Sequence, residues 1–305
     1  MSIENELFQN VSWIKKSKDG ASCSPNPNNS LPYTCYTSEA LNKLKILWNA
    51  RHPDDKIKTN SPREIWKSLK SKMSNVCDIE TCWLKQKFIK ENVDSNILNY
   101  TFAPQSPASW NDNPTEWLST TDIMKVMKQY EKYFKCFSFL GPSPIDFDTQ
   151  KAFGECVWDE LCNFKLTDYI QDNKNKIGII FNTDKHYNSG EHWVAMFINI
   201  KKKLIVYFDS YGDHNGRNPV PKEVMRLVHR IIRQGNQIGI SFEFIYNKLR
   251  HQYSDSECGM YSIYFIVEML NDTPLPSLLE QKISDVKVFT LRNHYFNKTN
   301  IKSNS

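Results

Sequence analysis

A polar loop that ends in a cysteine and opens onto a largely apolar segment constrains this chain most strongly. Loop 252–257 is followed by Cys258-Gly259, and segment 260–267 reads Met-Tyr-Ser-Ile-Tyr-Phe-Ile-Val. This pattern predicts a buried helix that begins near the cysteine. A cysteine at a helix N-terminus lies beside unpaired N–H groups and the positive end of the helix dipole, which favours the reactive thiolate. Because a lone cysteine is more often structural, the interpretation depends on residues elsewhere.

The size and composition of the chain set limits on its class. It has 305 residues, of which 40% are hydrophobic, enough for one large domain or two smaller ones. No stretch approaches the ~20 apolar residues of a membrane span, and residues 1–7 lack the features of a secretory signal. We therefore expect no membrane partner and no secretion.

The chain has 8 cysteines, which are scattered without the rhythm of a disulfide scaffold. We expect free thiols in a reducing compartment. No cysteine and histidine spacing is typical of a zinc site, so neither a metal nor another cofactor is expected.

The net charge of +5 is unevenly distributed. Residues 37–90 contain 12 Lys and Arg against 6 Asp and Glu, a net charge of +6, and the remaining residues sum to −1. This basic segment has two interpretations, a nucleic-acid contact or a solvated helical surface.

Composition also predicts the domain boundaries. Three prolines within 103–114 separate a helical, basic N-terminal arm, residues 1–112, from a core at 113–298. The Ser-, Asn- and Pro-rich stretch at about 15–32 is typical of a flexible linker, and the tail 299–305 is expected to fray.

The periodicity predicts an α+β protein with a short central sheet. Predicted helices lie at about 38–51, 62–73, 79–90, 119–134, 156–164, 222–233 and 257–270, with two more near 278 and 286. Predicted strands lie at 177–181, 192–200, 204–208 and 240–246. The turn at 201–203 joins the second and third strands into an antiparallel hairpin.

Four residues supply the groups that cysteine catalysis needs, namely a thiol, a base, a group that orients the base and an oxyanion donor. His192 begins one strand of the hairpin and Asp209 follows the other, so the two are expected to form a hydrogen-bonded pair. Gln252 lies six residues before Cys258, where its amide can face an oxyanion. Each residue alone is commonly structural or a turn former, but the order and placement of all four indicate a catalytic site.

The motifs that contain these residues resemble the SUMO-protease and adenovirus maturation-protease superfamily. They read Gly-Glu-His192-Trp193, Tyr-Phe-Asp209-Ser and Gln252…Asp-Ser-Glu-Cys258-Gly. The resemblance covers about residues 116–270. It implies a papain-like, SUMO-protease-like core with a short central mixed sheet flanked by helices, plus the small helical arm.

The same resemblance implies roles for individual residues. His192, Asp209 and Cys258 correspond to the catalytic triad and Gln252 to the oxyanion donor. Trp117 and Trp193 match two tryptophans that close over the glycines of the substrate. Thr120 stands where SUMO proteases often have Asp, a departure that puts SUMO recognition through this position in doubt.

A narrower resemblance is to the cysteine proteases of large nucleocytoplasmic DNA viruses, of the African swine fever virus and mimivirus-like type. Segments 182–195 and 250–259 carry it. The swine fever enzyme has Asn as the third member of its triad, whereas this chain has Asp209.

This resemblance predicts a cysteine-type peptidase that cleaves viral structural precursors after Gly-Gly during virion maturation. Its partner is a protein substrate with a Gly-Gly-Xaa site, and its location is the virion or the host cytoplasm. The alternatives are a deconjugating protease that removes ubiquitin-like modifiers, a non-catalytic binding module that keeps only the fold, and a nucleic-acid role for the basic arm.

Overall fold

The computed structural model of the protein describes residues 15–26 and 31–299. Within these ranges the chain forms two units: an arm unit of residues 15–108 and 293–299, and a core unit of residues 109–292. The end of the predicted core, 293–298, thus belongs to the arm unit. Of the predicted frayed tail, residues 300–305 lie outside the described residues. No helix in the described ranges is both long and apolar enough to cross a bilayer.

The arm unit is helical, as its apolar periodicity predicts. Its elements are α1 (Ser38–Arg51), α2 (Pro62–Lys72), a 3₁₀-helix (Glu80–Lys85), α3 (Lys87–Lys90) and α4 (Ser95–Tyr100). Leu41, Leu44 and Trp48 of α1 are buried in one apolar cluster with Ile65 and Leu69 of α2. The single helix predicted over 79–90 is divided in two, because Gln86 has an extended backbone between the 3₁₀-helix and α3.

The predicted linker at about 15–32 is wrong for residues 15–26. Ala21, Ser22 and Cys23 are buried, and Cys23 forms a disulfide with Cys35. The backbone N–H of Ser22 donates to Asn297 Oδ1 at 2.8 Å. The composition suggested a solvated segment, but these partners are distant in sequence and hold the chain in place.

Two further disulfides join Cys77 to Cys82 and Cys156 to Cys162. The expectation of free thiols is therefore wrong for six cysteines, whose irregular separations gave no sign of pairing. Cys136 and Cys258 are free.

The core unit is built on a five-stranded sheet in the order β1 (Phe137–Pro144), β2 (Lys176–Asn182), β3 (Trp193–Asn199), β4 (Leu204–Phe208) and β5 (Glu243–Tyr246). The β2–β3 and β3–β4 pairs are antiparallel, while β1–β2 and β4–β5 are parallel. The predicted mixed sheet is confirmed. The helices of this unit are α5 (Thr120–Tyr133), α6 (Asp159–Cys162), α7 (Leu166–Gln171), α8 (Lys222–Gln237), α9 (Cys258–Leu270), α10 (Leu275–Leu279) and α11 (Asp285–Thr290), and α12 (Arg292–Tyr295) follows.

Strand β1 was not predicted from the sequence, which assigned Gly141-Pro-Ser-Pro144 to a turn. Prolines are tolerated at sheet edges and bulges, where no ladder hydrogen bond is lost. Here β1 is an edge strand, and its register shifts between Leu140 and Ser143, at the proline-containing segment. The helix predicted over 156–164 is likewise reduced to the four residues of α6.

Helix α9 lies at the centre of the core unit. All of its residues from Cys258 to Leu270 are buried, and it packs against β3 and α5. A helix this apolar favours a central position, because it has no broad polar face that prefers water. The start of this helix lies beside the start of β3, where a Cβ on Gly259 would meet Trp193.

Candidate active site

The hairpin formed by β3 and β4 brings His192 to Asp209. The strands pair in antiparallel register with Ala195 opposite Phe208, so the residue before β3 and the residue after β4 lie at the same end. His192 Nε2 and Asp209 Oδ1 are 2.8 Å apart, and both side chains are buried. This is the pair that the sequence predicted.

Asp209 is held by donors on both oxygens. Besides His192, the backbone N–H of Tyr211 donates to Oδ1 at 2.9 Å, and Asn218 Nδ2 donates to Oδ2 at 2.8 Å. Burial alone would raise the pKa of Asp209, but these hydrogen bonds and the charge of His192 hold it below its ordinary value. Asp209 is therefore a carboxylate at neutral pH.

Cys258 is the other neighbour that acts on the His192 ring. Burial opposes a charge on the ring, yet the hydrogen bond to Asp209 and the nearby Cys258 raise the pKa of His192 to about 9. The imidazole is thus protonated at neutral pH and places a positive charge beside the thiol.

Cys258 is the first residue of α9 and is only 2% exposed. The backbone N–H groups of the first turn of a helix have no partner within the helix. The residue before it, Glu257, forms a buried ion pair with Arg292, with Nη2 and Oε1 2.9 Å apart. This pair fixes the start of the helix that carries the sulfur.

The amide of Gln252 has a defined orientation. One end lies 2.6 Å from the carbonyl oxygen of Ser254, which can only accept, so that end must be the N–H₂ group. The other end accepts from the Ser210 hydroxyl at 2.6 Å. The amide is fully buried between these two partners.

Trp193 and Trp117 differ in exposure but line the same groove. Trp193 is buried, and its indole N–H donates to the carbonyl of Leu118 at 3.0 Å, whereas Trp117 is 47% exposed. The groove has a volume of about 620 Å³, and Thr120 also lines it. A Cβ on Gly259 would lie 3.0 Å from Leu118 Cβ and 3.2 Å from Trp193 Cδ1. Glycine at this position therefore lets the tryptophan segment approach the cysteine helix.

Comparison with known proteins accounts for this arrangement. The C-terminal catalytic domain of the Ulp1 protease family matches residues 119–301, more than half of the chain. The chain belongs to the Ulp1 protease family.

Its relatives include viral cysteine proteases. It is 32% identical over 235 residues to a thiol protease of Acanthamoeba polyphaga mimivirus, covering 75% of this chain and 73% of that protein. It is 25% identical over 249 residues to the SUMO-1 cysteine protease of African swine fever virus (isolate Pig/Kenya/KEN-50/1950), covering 77% and 88%. The protein is thus a cysteine peptidase of the Ulp1 type, as the motifs predicted.

The fold agrees with this assignment. The crystal structure of the African swine fever virus protease superposes with a TM-score of 0.67 at 21% identity, covering 94% of this chain and 98% of that one. The predicted fold class is therefore confirmed.

Several residues of this Ulp1-type site were missed by sequence reasoning. Asn247 accepts from the backbone N–H of Asp209 at 2.9 Å and donates to its carbonyl at 2.7 Å. Asn218 and Ser210 contact Asp209 and Gln252 as described above. Each lies in a loop whose composition is typical of turns. Only the parallel pairing of β4 with β5, which ends with Tyr207 opposite Tyr246, places Asn247 beside Asp209.

The loops that carry Asp209 and Gln252 are also joined through their backbones. The carbonyl of Ser210 accepts from the N–H groups of His251 and Gln252, at 2.8 and 2.9 Å. Gly212 has a φ of +61°, and a Cβ there would lie 2.3 Å from the carbonyl oxygen of Leu249. The loop that carries Asp209 and the loop that carries Gln252 are therefore packed directly against each other.

His251 lies one residue before Gln252, and its role here is structural. It is fully buried, and its Nδ1 accepts from the backbone N–H of Ile283 at 3.2 Å. Burial, together with the charge of Lys282, lowers the pKa of His251 to about 4. It is therefore neutral at neutral pH.

Proposed function

We propose that this peptidase is an endopeptidase that cleaves viral structural precursors after Gly-Gly, with Cys258, His192 and Asp209 as its triad. The observation that carries the proposal is the hydrogen-bonded pair of Asp209 and His192 with Cys258 next to the imidazole, and the groove of Trp117 and Trp193 beside them. Flat aromatic walls leave room for residues without side chains, which favours glycines next to the cleaved bond.

In the proposed reaction the Cys258 sulfur attacks the carbonyl carbon of the second glycine. The carbonyl oxygen becomes an oxyanion, which the Gln252 amide and backbone N–H groups near Cys258 stabilise; one such donor contributes about 3 kcal/mol. His192 gives its proton to the amine as the C–N bond breaks, leaving a thioester. Water, deprotonated by His192, then hydrolyses the thioester. Asp209 keeps the imidazole oriented throughout.

Removal of ubiquitin-like modifiers is the second candidate. It is supported by the family match and by the African swine fever virus relative, which is named a SUMO-1 cysteine protease. Thr120 lines the groove where SUMO proteases often have Asp, which weighs against recognition of SUMO itself.

A cleavage assay separates these two functions. We expect Gly-Gly-Xaa peptides to be cut after the second glycine, and Cys258 to remain unlabelled by vinyl-sulfone derivatives of ubiquitin and SUMO. Labelling by these probes without peptide cleavage would favour deconjugation. If neither reagent reacts, the endopeptidase and deconjugation proposals both fail and the binding module is favoured.

The basic arm is proposed to contact nucleic acid. Lys16, Lys18 and Arg63 border a hollow of about 280 Å³ beside Tyr33, and none of the three cations has a salt-bridge partner among the described residues. Phosphate binding releases counterions, so binding of DNA to the full chain should weaken steeply with salt. The same affinity after Lys16→Gln, Lys18→Gln and Arg63→Gln are combined would contradict this role.

Action in the virion or in the host cytoplasm is proposed from the viral relatives alone. Detection of the protein in purified particles, compared with the cytoplasmic fraction of the producing cells, tests it.

A further inference from the structure

A row of alternating rings and cations leads away from His192. The Tyr211 ring stacks on the imidazole with 4.4 Å between centroids and 7° between planes. The Arg250 guanidinium carbon lies 5.1 Å from the Tyr211 centroid and 4.8 Å from that of Tyr253, and Lys282 Nζ lies 3.9 Å from the Tyr253 centroid. We call Tyr211, Arg250, Tyr253 and Lys282 the aromatic–cation row.

The outer part of this row faces solvent. Arg250 and Lys282 are exposed, and Tyr253 is 65% exposed. Tyr211 is only partly buried. A substrate can therefore reach the row without displacing any part of the core unit.

The row has two positive charges and no anion paired with them. Arg250 donates through Nε to the Gln252 carbonyl at 2.8 Å, and its terminal nitrogens have no hydrogen-bond partner among the described residues. Lys282 donates to the Arg250 carbonyl at 3.0 Å, and neither cation has a carboxylate within salt-bridge distance in the described ranges. The nearby Asp285 is occupied, since it accepts from the backbone N–H of Tyr253.

The two cations also disfavour one another. Burial lowers the pKa of Lys282, Asp285 opposes this effect, and the charge of Arg250 makes a smaller contribution that lowers the pKa. A carboxylate bound to the row would relieve this repulsion. The free edge of a guanidinium matches a carboxylate with two parallel hydrogen bonds.

The position of the row favours contact with the substrate residues that follow the cleaved bond. The groove approaches Cys258 through the Trp117 and Trp193 segments, and no residue of the row lines it. The amine released by cleavage must lie within reach of His192, which protonates it. A chain that continues from this amine can pass over the ring stacked on His192.

The spacing limits which residue of that chain meets Arg250. Steps of 4.4 and 5.1 Å separate the imidazole from Tyr211 and Tyr211 from the guanidinium carbon. An extended chain advances about 3.3 Å per residue, so together the steps span two to three residues.

We propose that the aromatic–cation row is a specificity site for an acidic side chain at the second or third position after the cleaved bond, with Arg250 as the residue that binds it. This inference rests on the proposed endopeptidase function. It adds a preference for an acidic residue in the substrate segment after the cleaved bond. Tyr211 holds the guanidinium in place through its face, and Lys282 adds a second positive charge.

The test uses matched peptides that share a Gly-Gly site and differ only in Glu, Gln or Lys at the second or third following position. We expect the wild-type protein to cleave one of the two Glu peptides about 10-fold faster in kcat/KM than its Gln counterpart, the effect of about 1.4 kcal/mol for a partly exposed charged hydrogen bond. This ratio should fall as ionic strength rises, because the contact is solvated.

Variants of Arg250 decide the assignment. Arg250→Gln should bring the Glu-to-Gln ratio close to one, and Arg250→Glu should reverse the preference toward Lys. Because each ratio compares two substrates of one enzyme, a general loss of activity does not affect it. Lys248→Gln, an exposed cation on the same loop outside the row, is the matched control and should keep the wild-type ratio.

The outcomes separate this inference from the proposed function. Cleavage of all peptides at equal rates, or a ratio unchanged by Arg250→Gln, overturns the acidic-residue site and leaves the endopeptidase intact. If no peptide is cleaved, the endopeptidase proposal fails, and protection of Cys258 from iodoacetamide then tests the row alone. Stronger protection by a Glu peptide that Arg250→Gln removes would support the site, and equal protection would refute it.

Discussion

The replacement Asp209→Asn tests the electrostatics of the site most directly. Both Asp209 oxygens accept hydrogen bonds, Oδ1 from His192 and Tyr211 and Oδ2 from Asn218. An amide offers one oxygen and one N–H₂ group, so it loses the negative charge and turns a donor toward at least one of these partners. The substitution preserves size, which keeps packing changes small.

The magnitude follows from the pKa of His192. Burial acts to lower this pKa, yet the hydrogen bonds and charges of Asp209 and Cys258 raise it from 6.5 to about 9. A raised pKa means that the imidazolium persists up to about pH 9 and that proton donation to the leaving amine fails above it. Loss of a neighbouring carboxylate shifts a pKa by about 1–3 units, so the alkaline limb of kcat/KM should move down by about 2 pH units.

The assay is the pH profile of kcat/KM on a Gly-Gly peptide, measured from about 2 pH units below neutrality to about 3 above it. Asp209→Asn should retain measurable activity near the acidic end of its profile. Asp255→Asn removes an exposed charge from the loop near Tyr211 and is the matched control, with little shift expected. An alkaline limb that stays at about pH 9 in Asp209→Asn would refute the role of the carboxylate in holding the proton on His192.

Three further results are expected. Cys258→Ala or His192→Ala should abolish peptide cleavage measured by chromatography, and wild-type rates from Cys258→Ala would disprove the proposed nucleophile. Gln252→Ala should lower kcat by about 100-fold with a small change in KM, because the lost donor acts on the transition state; an effect confined to KM would contradict this. Arg292→Met should lower the free energy of unfolding by about 3 kcal/mol in urea denaturation, since it leaves Glu257 buried without its partner. Adding Glu257→Gln should recover part of this loss, and no recovery would argue against the ion pair as the cause.

The sequence by itself determined the main elements of the core and the identity of the four candidate groups. A largely apolar segment of this length predicts a buried helix, and α9 begins at Cys258 as predicted. The short Lys-rich turn between two apolar strands forces antiparallel pairing, which was enough to place His192 beside Asp209. Local patterns are informative where near neighbours along the chain decide the structure.

The tertiary structure alone decided what holds those groups. Asn247 and Asn218 look like turn residues, and only the arrangement of strands and loops around Asp209 turns their amides into its partners. The orientation of the Gln252 amide depends on Ser210, which is 42 residues away in sequence. The edge strand with its prolines also depends on a long-range contact, its pairing with β2. A hydrogen bond or a ring stack depends on sub-ångström positions of atoms. A residue pattern does not specify these positions, because they are set only when distant segments pack together.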